Sequence, residues 1–415
     1  MLEMNEMSTL ILSQMMKYAR KTKKLTIQEL SDISSYTDRY ISEIESGRKS
    51  INKDTMKAIL KSINIGFNEK LNLEEEFNGI VEMYVDRDFS YIERLKKISD
   101  NEANYYSNSF HIALLCNYIY DVCVEKELDS LGKIKKYLDK MIVEMDSTYR
   151  LMYYIFQSIE MKKRNDIKDM EQIVDIGISI RGTDRLSLAL NGILYTYKSF
   201  FSYRKNILDE ALIYALKAKR KLESSGSYLK MLNVQVKYIN ILICMKNFKK
   251  AEEEIEDTIK LAGKLACQNT IIICVLNKIV LYYRSNQFEK CLSLCDEYLG
   301  NDEYDQAHLY FYKILTYYRL NQLDRVKEMV FRFRESFPND DEYNLYWYGL
   351  LNGILNEKEI SKNIGYLEKY LIKNKTIYDL EELYIICITY YERKQMYKEA
   401  FEYSSKCLAL NYQKN

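Results

Sequence analysis

Apolar positions recur at helical spacing along almost the whole chain, first in a short cluster and then in a long series. Between Leu25 and Ile63, Leu30, Ile33, Tyr40, Ile41 and Ile44 are spaced to pack two short helices against Leu60 and Ile63 of a third. Thr26 suits the cap of the first helix, which should run to about Asp32, and Ser34-Ser35-Tyr36 should turn the chain. Thr37 or Asp38 then opens a second helix ending near Glu45, where Ser46-Gly47 stops it. This is a helix-turn-helix pattern, with a second helix shaped for the DNA major groove. Upstream, residues 8–22 predict an amphipathic helix ending in Lys17, Arg20, Lys21, Lys23 and Lys24, a basic cluster suited to phosphates. The expected domain is 1–65. Residues 66–104 read as a helical linker, with helices near 71–86 and 88–99.

From about residue 105 to 415 the pattern repeats. A small or medium residue opens the inward face of a second helix at Gly132, Met170, Ala211, Ala251, Cys291, Val326, Ile364 and Ala400, at intervals of 35 to 41 residues. Short polar loops precede these anchors, as in CMKNFKKA and YRLNQLDRV. Pro338 falls where tetratricopeptide repeats often end a second helix. The series resembles that repeat family in a loosened form. Helix pairs of this kind bury their apolar faces only against neighbouring pairs, which predicts a right-handed solenoid whose first helices line a concave surface.

Composition supports an all-α chain: one proline and 13 glycines in 415 residues leave few helix breakers. The net charge of +1 excludes a generally polycationic binder, so any nucleic-acid contact must be local; residues 1–65 carry 11 Lys/Arg against 8 Asp/Glu, a balance of +3. Nine cysteines show no CxxC or zinc spacing and read as apolar filler in a reducing cytoplasm. No signal-peptide order or membrane-length apolar run is present, so a cytoplasmic location is expected. No nucleophile–base set, phosphate-binding glycine loop or metal motif is visible, so neither catalysis, a metal nor a cofactor is expected.

Candidate DNA contacts follow from helix position. Thr37, Asp38, Arg39 and Glu43 sit at the start and one turn along the recognition helix. Arg39 can address guanine, and an acid can accept from cytosine. The acids can alternatively pair with Arg39 or Lys49. Arg48 and Lys49, after the helix stop, are placed for phosphates. In the repeats, asparagine offers a donor and an acceptor together and can pair with a peptide backbone whatever its side chains. Asn233, Lys237 and Asn240 share a face of one first helix, at i, i+4 and i+7, while Asn191 and Asn277 occupy the first helices on either side. Lys230, Lys237 and Arg185 are candidates for a peptide carboxylate, and His308 and Tyr346 also map inward.

The segments Leu25-Thr26, Glu29-Leu30, Tyr40-Ile41 and Ile44-Glu45-Ser46-Gly47-Arg48 resemble the Cro/cI-type helix-turn-helix family. That family often has glutamine just after the first-helix cap, where Ile27 stands here, which implies that a phosphate contact is lost or moves to Gln28. Followed by these repeats, the chain resembles the peptide-pheromone receptors of the Rap, Rgg, NprR, PlcR and PrgX group. EEEFNGIVEMYVDRDFSYIERL and LKMLNVQVKYINILICMKNFKKA look most like the arbitrium receptors of phages, the AimR family. That resemblance implies a homodimer that binds operator DNA and a short signalling peptide, in arbitrium-like control of lysis versus lysogeny. The Cro/cI-like head departs from the best-known arbitrium receptors. Rap relatives include phosphatases, but in those a three-helix head stands in place of the DNA-binding unit. The rival reading is a helix-turn-helix regulator or antitoxin whose repeats bind a partner protein.

Overall fold

The computed structural model describes residues 8–337, 342–356, 360–374 and 377–412. Pro338 lies outside them. The described residues are helical apart from turns and one isolated bridge, Asn68 to Ser107. The fold is all-α: a helix-turn-helix domain followed by tetratricopeptide-like helical repeats. The chain divides into two compact units, 1–197 with 220–230, and 198–219 with 231–415.

The first unit opens with the predicted head: α1 (Thr9–Thr22), α2 (Ile27–Ser34), α3 (Asp38–Glu45) and α4 (Lys53–Ser62). Local chemistry sets each boundary. Ser8 caps α1, and Thr26 and Glu29 form a reciprocal capping box on α2. Ser35 takes the left-handed turn at φ 62°, and Thr37 caps α3 by accepting from the Tyr40 amide at 3.2 Å. Gly47 adopts φ +75° after α3, as its position predicts. Met15, Met16, Ala19, Leu30, Ile41, Ile44, Ile59 and Leu60 form the core. Ile33, expected there, is instead 50% exposed. The buried face of α2 runs through Leu30 and Ser34, and Ile33 falls on its outer flank.

The stretch read as a linker forms α5 (Glu74–Val85) and α6 (Tyr91–Asp100), and both are packed rather than bridging. Phe77, Ile80, Val81 and Leu95 are buried, and Phe77 meets the Tyr149 ring edge-on at 5.0 Å. Next come α7 (Phe110–Cys123), α8 (Leu128–Met141), α9 (Ser147–Lys163), α10 (Ile167–Ser179) and α11 (Arg185–Arg204), which crosses into the second unit. One tyrosine seats the head on these helices. Tyr18 of α1 stacks on Tyr105 at 5.5 Å and meets Phe110 and Tyr137 edge-on, each at 5.6 Å.

The remaining helices are α12 (Leu208–Ser224), α13 (Tyr228–Cys244), α14 (Phe248–Lys264), α15 (Gln268–Arg284), α16 (Phe288–Tyr298), α17 (Gln306–Arg319), α18 (Leu323–Ser336), α19 (Glu342–Leu355), α20 (Ser361–Asn374), α21 (Ile377–Arg393) and α22 (Tyr397–Tyr412). Seven of the eight expected anchors are buried: Met170, Ala211, Ala251, Cys291, Val326, Ile364 and Ala400. Gly132 is only half-buried, and a Cβ added there would meet nothing within 4 Å, so it marks no close packing. Leu131 beside it takes the buried position.

A second repeated signal lies in the turns. Five residues before six of the anchors stands a residue in the left-handed region: Asn165, Asn206, Lys246, Asn286, Asn321 and Gln395. The next amide closes each turn onto the carbonyl five residues back, as from Asn247 to Leu242 at 2.9 Å and from Gln287 to Tyr282 at 2.8 Å. Asparagine fills four of the six positions because its short polar side chain tolerates φ near +60°.

Candidate functional site

The recognition helix α3 is pinned from beneath. Arg20 of α1 donates from Nε and Nη2 to the two carboxylate oxygens of Glu45, at 2.6 and 2.7 Å, and from Nη1 to the Leu25 carbonyl at 2.6 Å. Both side chains are 5% exposed. Arg20 was expected in a phosphate-facing cluster, and the structure corrects this: its guanidinium is used up inside the head. Lys21, Lys23 and Lys24 of that cluster remain exposed, while Lys17 is half-buried.

The base-facing candidates stand on the open face. Thr37, Asp38 and Arg39 are exposed, and Arg39 is 86% exposed. Its Nε donates to Glu43 Oε1 at 3.0 Å, one turn along. That hydrogen bond raises the Arg39 pKa and lowers that of Glu43. Asp38 accepts from the Arg39 amide at 2.7 Å, helping to cap its own helix. The pairing of an acid with Arg39, one of the two alternatives for these acids, is therefore present in the free protein. An exposed pair of this kind contributes little stability. Gln28 is exposed and donates to Asp32 at 3.1 Å. Arg48 donates to Ser46 Oγ at 3.0 Å, and the Lys49 ammonium lies 4.4 Å from the Tyr40 ring centroid. These contacts hold both cations beside the end of α3.

The peptide candidates divide between the two units. In the first, Arg185 is committed to neighbours, donating to the Ser225 carbonyl and to Glu82, each at 3.1 Å. Asn191 is buried, and its amide donates to the Ile180 carbonyl at 2.9 Å, tying α10 to α11. Lys230 lies 4.2 Å from the Tyr84 ring centroid; burial, and then the charge of Arg87, push its pKa down to about 8.

In the second unit, Asn233 is exposed, and Lys237 and Asn240 are half-buried along one face of α13. Asn277 on α15 and His308 on α17 each carry a buried nitrogen without a hydrogen-bond partner, Nδ2 and Nε2 respectively. Burial lowers the His308 pKa, and its ring packs on Tyr312 at 4.8 Å. A buried donor or acceptor left unmatched costs about 1–3 kcal/mol, so these two atoms favour an incoming polar group. Tyr346 stacks on Tyr366 at 6.2 Å and meets Tyr370 edge-on at 5.7 Å.

Sequence reading missed a charged cluster in this unit. Glu382 of α21 accepts from the Tyr283 hydroxyl and lies 3.9 Å from Arg319, and Glu381 lies 3.5 Å from Lys246. These groups line a cavity of about 200 Å³ together with Arg284 and Asn286. Burial pushes the nearby Asp379 carboxyl up to about 6, against the pull of Arg284. The acids of α21 are visible in the sequence, but their partners lie about 60 to 140 residues upstream and no local spacing links them.

Residues 16–70 match the helix-turn-helix family HTH_3. No curated protein matches the chain in sequence. Among solved structures, the chain is similar to a Rap protein complexed with Competence and Sporulation Factor, with TM-score 0.61, 12% identity, and coverage of 82% of this chain and 97% of that one. It is similar to aspartyl phosphate phosphatase F from Bacillus subtilis, with TM-score 0.56, 13% identity, and coverage of 82% and 94%. It is also similar to phAimR, with TM-score 0.50, 11% identity, and coverage of 97% and 100%. The resemblance to the Rap and arbitrium-receptor group therefore holds at the level of fold.

Proposed function

We propose that this chain is a peptide-responsive, DNA-binding transcriptional regulator of quorum-sensing type, whose arbitrium-like role is the choice between phage lysis and lysogeny. One observation carries the reading: a helix-turn-helix head is joined in a single chain to repeats whose fold resembles Rap and phAimR. On this reading Arg39 contacts a guanine and Thr37, Asp38 and Glu43 contact neighbouring bases, while Gln28, Arg48 and Lys49 hold phosphates. Asn233, Lys237, Asn240, Asn277 and His308 receive a short peptide, whose backbone satisfies the unmatched nitrogens of Asn277 and His308.

A homodimer would place two heads on a palindromic operator, where half-site spacing tolerates little error. Tyr397, Phe401 and Leu408 leave an apolar row exposed on α22, with Phe401 74% exposed, which suits self-association. Peptide then acts by favouring one head spacing over another. The protein binds rather than catalyses.

The test starts from duplexes selected by the full-length protein out of a random pool. The genome beside the gene is searched for a small reading frame with a secretion signal, and synthetic peptides spanning the end of its product are titrated against the protein–operator complex. Operator affinity should change at saturating peptide. It should not change in Asn233→Ala/Asn240→Ala, and Arg39→Ala should lose sequence preference. An operator affinity indifferent to peptide, with a larger protein co-purifying on the repeats, would favour the partner-protein reading.

A further inference from the structure

The seam between head and repeats holds a cavity of about 540 Å³, lined by Gln14, Lys17, Tyr18, Lys21, Thr22, Lys133, Lys136, Tyr137 and Lys140. Five of these nine residues are lysines and none is acidic. Two of the lysines belong to α1 and three to α8, outside the helix-turn-helix. Lys133, Lys136, Lys140 and Lys21 are exposed, so their ammonium groups are open to solvent. The one acid on this stretch of α8, Asp139, accepts a hydrogen bond from the Tyr153 hydroxyl. The pKa of half-buried Lys17 is lowered by burial and next by the charge of Lys140 across the seam. The lining is net positive: five lysines line the cavity, with the carboxylates of Asp139 and Glu45 nearby.

The cavity also has an address. Arg20, one residue before Lys21, grips Glu45, the last residue of the recognition helix. Lys17 and Tyr137 both lie close enough to Glu45 for its charge to act on them. The seam therefore abuts the end of α3, whose following residues Arg48 and Lys49 are the proposed phosphate contacts. Lys133, Lys136 and Lys140 extend that basic surface along about 10 Å of helix, the axial length of about three phosphates on one strand.

We propose that α8 is a second DNA-backbone clamp: Lys133, Lys136 and Lys140, with Lys17 and Lys21 across the seam, hold the sugar–phosphate backbone beside the recognition helix. This rests on the reading of the chain as an operator-binding protein. It also answers the modest charge of the head, where residues 1–65 carry 11 Lys/Arg against 8 Asp/Glu. Phosphate contacts position a protein without reading sequence, so the clamp adds affinity and leaves base preference to α3. Because its lysines lie on both sides of the seam, bound DNA would also hold the head to the repeats.

The experiment compares the full-length protein with Lys133→Gln/Lys136→Gln/Lys140→Gln, on the selected operator and on a random 40-bp duplex, across a salt series. The substitutions are at exposed positions, and thermal melting confirms that the variant is folded. The slope of log affinity against log salt should fall by about 2 to 3, since each phosphate contact contributes about 0.9. Affinity for both duplexes should drop at least tenfold, with their ratio unchanged. Arg39→Ala should do the reverse, collapsing the ratio and leaving the slope near wild type. An unchanged slope in the folded triple variant would overturn the clamp. So would protection of the wild type, but not of the variant, by inorganic pyrophosphate with DNA binding intact, which would assign the cavity to a small anion. Absence of DNA binding by the wild type would remove the operator reading itself.

Discussion

Arg20 shows how far a residue can depart from its pattern. In sequence it belongs to a run of cations, but two hydrogen bonds to Glu45 and one to the Leu25 carbonyl bury it in the head. Its role is to hold the last turn of the recognition helix. Removing one partner of a buried ion pair leaves the other charge without compensation, at a cost of about 3–5 kcal/mol. Arg20→Ala should therefore lower the stability of the head by that order in denaturant titration, and operator binding should fall with it. An equivalent change at exposed Lys23 should alter stability by less than about 0.5 kcal/mol. The recognition-helix positions were legible because Thr37, Gly47 and the apolar spacing number the helix without ambiguity. The division between buried and exposed cations was not, since it depends on which side of α1 meets α3.

At the level of elements, the repeat period rests on two signals, and only the small anchors stand out in the sequence. Small anchors such as Ala211 and Ala251 are legible because close helix packing leaves no room for larger side chains. The left-handed asparagines are equally periodic, but asparagine is common throughout this chain and the turns vary in their other residues. At Asn321, φ is 59° and the side chain is exposed. Asn321→Gly should be nearly neutral in chemical denaturation, whereas Asn321→Val should cost about 1–2 kcal/mol, because a β-branched residue is strained there. The supposed linker teaches the opposite lesson. Its helices were foreseen, but their burial against α7 and α9 required partners the local pattern does not name. On α22 the exposed row is the element most open to self-association. Phe401→Asp should convert a homodimer to a monomer by mass photometry while leaving melting of the chain unchanged.

Across the whole molecule, each unit carries a partly buried titratable group, and the two answer acid in opposite directions. In the first, burial lowers the His111 pKa to about 4, below its ordinary 6.5. Its contribution to stability is present above pH 6.5 and is lost as pH falls through about 4. In the second, the Asp379 carboxyl is raised from 3.8 to about 6, so its contribution is present below pH 3.8 and is lost as pH rises through about 6. His111→Phe should gain stability relative to wild type as pH falls from 6.5 to 4, and Asp379→Asn should gain as pH rises from 4 to 6. Denaturant titrations at several pH values measure both slopes. The amino-acid sequence by itself determined the all-α class, the helix-turn-helix boundaries and the repeat period, because caps, turns and 3.6-residue spacing act between residues close in the chain. Tertiary structure alone decided that Arg20 turns inward, that Asn191 is tied to Ile180, that the acids of α21 face Lys246 and Arg319, and that lysines of α1 and α8 share one cavity. Each of these joins residues 11 or more apart in sequence, and charge or polarity at one position carries no record of what folding will set beside it.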